Sequence, residues 1–323
     1  MSGLSFISYT DQPEEFLGHI KGAKIKGLPD PDQFVLESRY RHAEIGAGFV
    51  DMSFCAVGKN GLEAVILAHK FNDFVGFNGS GAEILIAEHT KKKTKSILGF
   101  MVQSARRENC KVVKIDDYEV GFDLSVLGQE AFNHKAMPHT RLRAAQDLNR
   151  SEEAVFLDIR NSYRSLINKS KGEISFTYVT HENADKDLFN NFMAFHKETA
   201  GRQTRSTQSW DVQFEMIKAG HAELIMGYME PHGLVSSALF TDYGSVTSYA
   251  VAVYDRSLFE KPLAHANVYE GILCAKGRGQ MIFNLGVIPP YNPDHEKEYN
   301  IGKFKKGFCR TLSSFIEWNI PVL

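Results

Sequence analysis

AELIMGYMEPHGLVSSALFTDYGSVTSYAVAVY, residues 222–254, decides the fold. It divides into AELIMGYM, LVSSALFTDY and SVTSYAVAVY, three runs rich in β-branched and aromatic residues. The connections are short, so three successive antiparallel strands are expected. Working outward, EISFTYVT (173–180) reads as a strand, and NADKDLFNNFMAFHKETAG (183–201) as a helix. A second helix runs from about Ser209 to Ala219. Downstream, a helix from about Pro262 to Lys276 precedes the strand QMIFNL (280–285). The order is strand, two helices, three antiparallel strands, helix, strand. That order excludes a doubly wound nucleotide-binding sheet, which alternates strands and helices throughout.

DLNRSEEAVFLDIRNSYRSLINKSKG (147–172) comes just before this block and places a domain boundary near residue 147. Asn149, three residues before Glu152, suggests a capping-box start. Val155, Ile159, Tyr163 and Leu166 then form a narrow apolar stripe on one expected helix, which Gly172 stops. Arg160, Arg164 and Lys171 fall on one flank of it. Two readings stay open: a bidentate grip on phosphate or carboxylate, or surface ion pairs with Asp158 or Glu153.

The first half is less regular. LEAVILAHKF (62–71) and DFVGFN (73–78) read as strands, and KVVKI (111–115) as another. Between them KKKTKSILGFMVQSARREN (91–109) sets Ile97, Leu98, Met101, Val102 and Ala105 at helical spacing. The lysine run at 91–95 reads as a solvated face. Lysines at a helix N-terminus oppose the dipole, so an anionic neighbour is the second reading. GFNGSGAE (76–83) lacks the spacing of a phosphate-binding loop and reads as a strand-to-helix turn.

At 323 residues the chain suits two domains. Its formal charge of −2 argues against a protein built to coat nucleic acid. The cysteines, Cys55, Cys110, Cys274 and Cys309, are too far apart for a CxxC motif and read as separate buried thiols. The N-terminal MSGLSFISYTDQPEEF lacks the features of a signal peptide, and no run of about eighteen apolar residues occurs. A soluble, cytoplasmic protein is expected. The histidines form no HExxH or similar pair, so no metal site is expected, and there is no GxSxG nucleophile elbow. GKFKKGF (302–308) sets Lys305 and Lys306 between two phenylalanines, as a basic turn or a lysine held in a site.

The strand and helix order of the second half is similar to that of a GNAT acyltransferase domain. LDIRNSYRSLINKSKG, FHKETAGRQTRS, VYEGILCAKGRGQMIFNLGVIPP and IGKFKKGF resemble, in order, segments of the Fem-type aminoacyltransferases. They span roughly residues 148–308. The resemblance implies an α+β fold of two tandem GNAT-like domains with mixed, largely antiparallel sheets flanked by helices, and a substrate groove between them. The expected domains are 1–147 and 148–308, with the tail 309–323 packing on the first. No long helical insertion interrupts 183–221, as in the short members.

The implied activity is transfer of an aminoacyl or acyl group to an amine of a cell-wall or surface-glycan precursor. No tightly bound cofactor is implied; the donor is aminoacyl-tRNA or acyl-CoA, and the acceptor an anionic sugar-nucleotide or glycan precursor. Lys305 matches the lysine of the family's closing motif and is the expected oxyanion stabiliser, with Phe304 keeping the site dry. Arg164, Lys169 and Arg160 are expected to hold the acceptor's phosphates or carboxylate. Strand alternation sends Tyr249 and Tyr254 to opposite faces, and Tyr254 is the one expected in the groove. No histidine is expected as a base. AKGRGQ (275–280) follows a helix instead of preceding one, so it reads as a helix stop and weakens acyl-CoA as donor. The alternatives are an acyl-CoA-dependent N-acetyltransferase acting on an amino sugar, and a non-catalytic binding protein on the same fold.

Overall fold

The computed structural model describes residues 3–119 and 121–323. The chain begins β1 (Ser5–Ser8), α1 (Pro13–Ile20), α2 (Pro31–Ile45), β2 (Val50–Asp51), β3 (Phe54–Gly58), β4 (Gly61–Leu67) and β5 (His69–Phe71). It continues β6 (Phe74–Gly76), β7 (Glu83–Ile86), α3 (Lys91–Arg107), β8 (Val112–Asp117), α4 (Val126–Asn133) and β9 (Met137–Asp147). Then come α5 (Glu152–Asp158), α6 (Asn161–Ser170), β10 (Ser175–Val179), α7 (Lys186–Ala200), α8 (Thr207–Lys218), β11 (Ala222–Met229), β12 (Gly233–Tyr243) and β13 (Val246–Tyr254). The last elements are α9 (Leu263–Gly277), β14 (Ile282–Ile288), α10 (Glu296–Lys306) and β15 (Ser313–Pro321). One compact unit holds residues 1–31, 45–142 and 314–323; the other holds 32–44 and 143–313.

In the first unit β1, β3, β4 and β7 form one sheet, and β2, β5, β6, β8 and β15 are neighbours in a second. The expected single strand over 62–71 is therefore two. The break is local: the Ser53 hydroxyl accepts from the Ala68 amide (3.2 Å) in place of a backbone carbonyl, while the Ala68 carbonyl accepts from Met52 N (2.8 Å). GFNGSGAE connects strands β6 and β7, not a strand and a helix. Phe77 and Ser80 exchange backbone bonds of 3.1 and 2.9 Å across Asn78 and Gly79, whose φ values of 50° and 78° make a primed turn.

Helix α3 buries Ile97, Leu98, Met101 and Ala105, as its spacing requires, and Thr90 caps it. Lys91 and Lys92 are exposed, while Lys93 pairs with Glu63 at 2.7 Å and Glu88 at 3.6 Å. The anionic neighbours of this lysine are the chain's own. Strand β15 runs antiparallel to β8, with Trp318 opposite Ile115 and Ile320 opposite Val113. All four of these side chains belong to one apolar core.

In the second unit β10, β11, β12 and β13 pair antiparallel in sequence order, and β14 joins parallel to β13. Side chains alternate across the sheet. Ile225, Ala238 and Phe240 pack with residues of α5, α6 and α9. Leu224, Met226, Leu239, Val251 and Val253 pack with α7, α8 and Leu36 and Tyr40 of α2. The Asp185 and Ser206 side chains cap α7 and α8, and Gly201 ends α7 in the left-handed conformation.

The helix expected over 152–171 is two helices. Ser151, not Asn149, caps α5, accepting from Ala154 N at 3.2 Å. Ile159 and Arg160 are extended between α5 and α6, with ψ of 136° and 137°. The cause is tertiary: Arg160 N donates to Gly307 O (2.8 Å) instead of to a helical carbonyl. Val155, Ile159 and Tyr163 are buried as the stripe required. Arg160 caps the N-terminus of α6 and Lys171 its C-terminus, so the three basic residues do not share one helix flank. Asp158 pairs with Arg150. Gly277 and Gly279 end α9, as AKGRGQ suggested, and Arg278 between them binds Asp242 (2.9 Å) and Glu223. The four cysteines are free thiols.

Candidate active site

The second unit contains an opening made by its own strands. β13 and β14 pair through Val246–Ile282, Thr247–Phe283 and Ser248–Asn284. Beyond these residues β13 runs on to Tyr254 and β14 to Ile288, and among the described residues the two are no longer paired. A cavity of about 770 Å³ lies beside this part of β13, lined by Tyr249, Tyr254, Phe259 and Ala264 and by one face of α10. That face is Glu296, Lys297, Asn300, Ile301 and Phe304, spaced as successive helical turns require. The volume is within the range of small-molecule sites.

Tyr249 and Tyr254 do not point to opposite faces. In the β12–β13 register Leu239 pairs with Val251 and Phe240 with Tyr249, so Ala250 is an unpaired bulge residue. One extra residue reverses the alternation. Both rings then line the cavity, with their hydroxyl oxygens 2.7 Å apart. Burial pushes the Tyr249 phenol up to about 12 and that of Tyr254 well above its ordinary value. Both are therefore neutral hydroxyls at physiological pH.

Phe304 and Lys305 sit on the same turn of α10 but face different surroundings. The Phe304 ring lines the cavity and belongs to an aromatic cluster with Tyr163, His265 and Phe308. Lys305 turns toward the free part of β14. A Cβ built on Gly286 would lie 3.0 Å from Lys305 Nζ. Gly286 has φ of +101°, closed to most residues, so its lack of a side chain leaves room for the ammonium. Burial lowers the Lys305 pKa, and among the described residues no carboxylate pairs with it. Lys306 is exposed.

A second feature is a basic pocket of about 400 Å³ at the start of α6. Arg160, Arg164, Lys303, Lys306 and Arg310 line it, with Asp158 as its one carboxylate. Arg160 lies over the Tyr163 ring at 4.1 Å. Arg164 Nη2 is 3.4 Å from Asn161 Oδ1, and its Nε is buried without a partner. Such forks suit phosphate or carboxylate. Lys169 is exposed and does not line this pocket. The structure thus joins Arg160 with Arg164, and Tyr254 with Phe304.

Sequence reasoning missed Tyr249, the α10 face, and Lys303, Lys306 and Arg310. The steps 296–300–304 and 297–301 carry the helical period that would have found α10.

No protein family and no curated relative matches the chain by sequence. Solved structures do match. FemX aligns with a TM-score of 0.66 and 13% identity, covering 95% of each chain. L-PGS from Bacillus licheniformis aligns at 0.55 and 13%, covering 92% of this chain and 93% of that one. A tandem GNAT protein from the clavulanic acid biosynthesis pathway aligns at 0.53 and 12%, covering 99% of each.

The chain has a Fem-like tandem GNAT fold.

In this Fem-like fold β13 and α10 wall a partly apolar cavity, and residues at α6 and the end of α10 supply cations. Among the described residues no three His, Cys, Asp or Glu side chains group as a metal site. No described helix is long and apolar enough to cross a membrane.

Proposed function

We propose that this chain is an N-acyltransferase of the Fem type, moving an aminoacyl or acyl group onto an amine of a cell-wall or surface-glycan precursor. The observation that carries the reading is the cavity between β13 and α10, walled by the Tyr249–Tyr254 hydroxyl pair and Phe304. The acyl carbon of the donor sits in it. Attack by the amine converts the carbonyl oxygen to an oxyanion directed past Phe304 toward Lys305, a cation that no carboxylate pairs with among the described residues, which stabilises it. A lysine already neutralised by a carboxylate would have little left to offer. Phe304 excludes water, and the tyrosine pair, in which one neutral hydroxyl donates to the other, orients the reacting groups with the remaining O–H. Arg160 and Arg164 hold a phosphate or carboxylate of the acceptor in the basic pocket. Lys169, exposed outside that pocket, contributes long-range attraction at most.

The donor is an aminoacyl ester on RNA. The loop 255–262 between β13 and α9 reads DRSLFEKP and holds no glycine whose amides could approach a pyrophosphate. A thermal-shift series tests the reading, because a ligand of the folded state raises the melting temperature by mass action. The panel is a nucleotide-linked muropeptide, a non-hydrolysable aminoacyl-nucleotide, acetyl-CoA and longer acyl-CoAs. Stabilisation by the first two supports the proposal. Stabilisation by CoA thioesters alone moves the donor to acyl-CoA, and none with any of them removes the acyltransferase reading.

A further inference from the structure

Tyr254, one of the two paired tyrosines, borders two cavities. A second one, of about 330 Å³, is lined by His196, Thr199, Thr204, Arg205 and Arg256, and also by Tyr254 and Phe259. Tyr254 and Phe259 line the main cavity as well, so these two side chains form a common wall. His196 comes from α7, and a third hollow of about 290 Å³ also reaches it from the side of Trp210. It is thus approached from two sides while half-buried.

The His196 ring has defined surroundings. Thr204 Oγ1 lies 3.5 Å from Nδ1, a contact in which either atom can be the donor. The Trp210 ring of α8 meets it edge to face at 5.4 Å. Arg205 stacks over the same Trp210 at 5.4 Å and is held 3.8 Å from Glu44, with Tyr40 of α2 bonded to it. Arg256 faces the cavity from beyond β13, and Lys197 is exposed on the same helix as His196. Among the described residues no carboxylate lines the second cavity. Burial and the Arg205 charge therefore both act in one direction, and the imidazole is held below its ordinary pKa.

We infer that His196 is the proton acceptor for the attacking amine, which reaches the acyl carbon along the wall shared by the two cavities. The inference rests on the acyltransferase reading above. In the step, the amine lone pair forms the new C–N bond and the carbonyl π pair moves to oxygen, beside Lys305. The nitrogen of this tetrahedral intermediate is a cation and a far stronger acid than a free ammonium. A weakly basic imidazole is sufficient to take its proton. The oxyanion pair then reforms the carbonyl and expels the donor's leaving oxygen, which takes a proton from the imidazolium. The charge and the proton count close with no further reactant. Two guanidiniums facing the cavity also favour the neutral, nucleophilic form of the entering amine over its ammonium.

The experiment measures acyl transfer with the donor and acceptor that the thermal-shift series selects, comparing the full chain with His196→Gln and His196→Ala across pH. His196→Gln is expected to lower kcat on the order of a hundredfold with little change in acceptor KM. The acid limb of the wild-type pH profile should disappear in it. Added imidazole should restore part of the rate to His196→Ala, which a purely structural histidine would not allow. If wild type transfers and His196→Gln keeps its rate and its acid limb, this inference falls while the acyltransferase reading stands. If wild type transfers with no donor, both fall. A variant that fails to fold is recognised by its melting curve, and imidazole rescue of His196→Ala or its failure then decides the matter.

Discussion

The hydroxyl oxygens of Tyr249 and Tyr254 lie 2.7 Å apart, although five residues separate them on one strand. An odd separation on a regular strand puts side chains on opposite faces. The bulge at Ala250 removes that conflict and joins two phenols at the wall of the main cavity. Each hydroxyl supplies the other's hydrogen-bond partner. Tyr254→Phe should therefore cost about 1–3 kcal/mol, the penalty for leaving a buried polar group unpaired. Tyr249→Phe should cost a similar amount. The double variant should cost clearly less than the sum, because it removes both polar groups together. Urea unfolding of the four proteins checks this; strict additivity would show that the two hydroxyls are not coupled.

Arg164 has a buried Nε without a partner, and it lines the basic pocket with Arg160. Arg164→Ala should raise the dissociation constant of a phosphate-bearing acceptor about tenfold, the scale of one hydrogen bond to a charged group. Titration calorimetry with a nucleotide-linked muropeptide measures it. Unchanged affinity would return this arginine to the surface-charge reading.

His265 lies among Tyr163, Phe304 and Phe308, and burial, with the Arg160 charge, pushes its pKa down to about 4. A histidine whose folded pKa is depressed binds its proton more readily in the unfolded chain. Its contribution therefore destabilises the fold progressively as pH falls from about 6.5 toward 4. His265→Phe removes that proton. The stability difference between the variant and wild type should shift in the variant's favour across this window and stay flat above pH 7. Denaturant unfolding at several pH values checks it, and a pH-independent difference would show that His265 is not held neutral.

Much of the fold was legible because local and tertiary preferences agree. The apolar period of α3, the caps of α7 and α8 and the alternation of β11 to β13 all required what the structure shows. Three features depended on distant residues and left little local trace. The break before α6 is made by a bond from Arg160 N to Gly307 O, over a hundred residues away in sequence. The bulge at Ala250 involves neither glycine nor proline. The helix α10 is highly charged, with Ile301 and Phe304 among the few apolar side chains of its cavity face, so its last turns resembled a basic turn. The site was legible to the same degree. Phe304, expected from the resemblance, and Arg160 and Arg164, noted from helical spacing, line the proposed pockets, whereas the second tyrosine and the cations at 303, 306 and 310 needed the packed structure.

The central claim is that the opening beside Lys305 catalyses acyl transfer to an amine. The most direct measurement is single-turnover transfer of a labelled acyl group to the acceptor by wild type and Lys305→Ala, with acceptor affinity measured in parallel. The account predicts transfer by wild type. It also predicts a rate lower by two to three orders of magnitude, roughly the loss of one oxyanion donor, in Lys305→Ala at nearly unchanged affinity. Equal rates in the two proteins would contradict it.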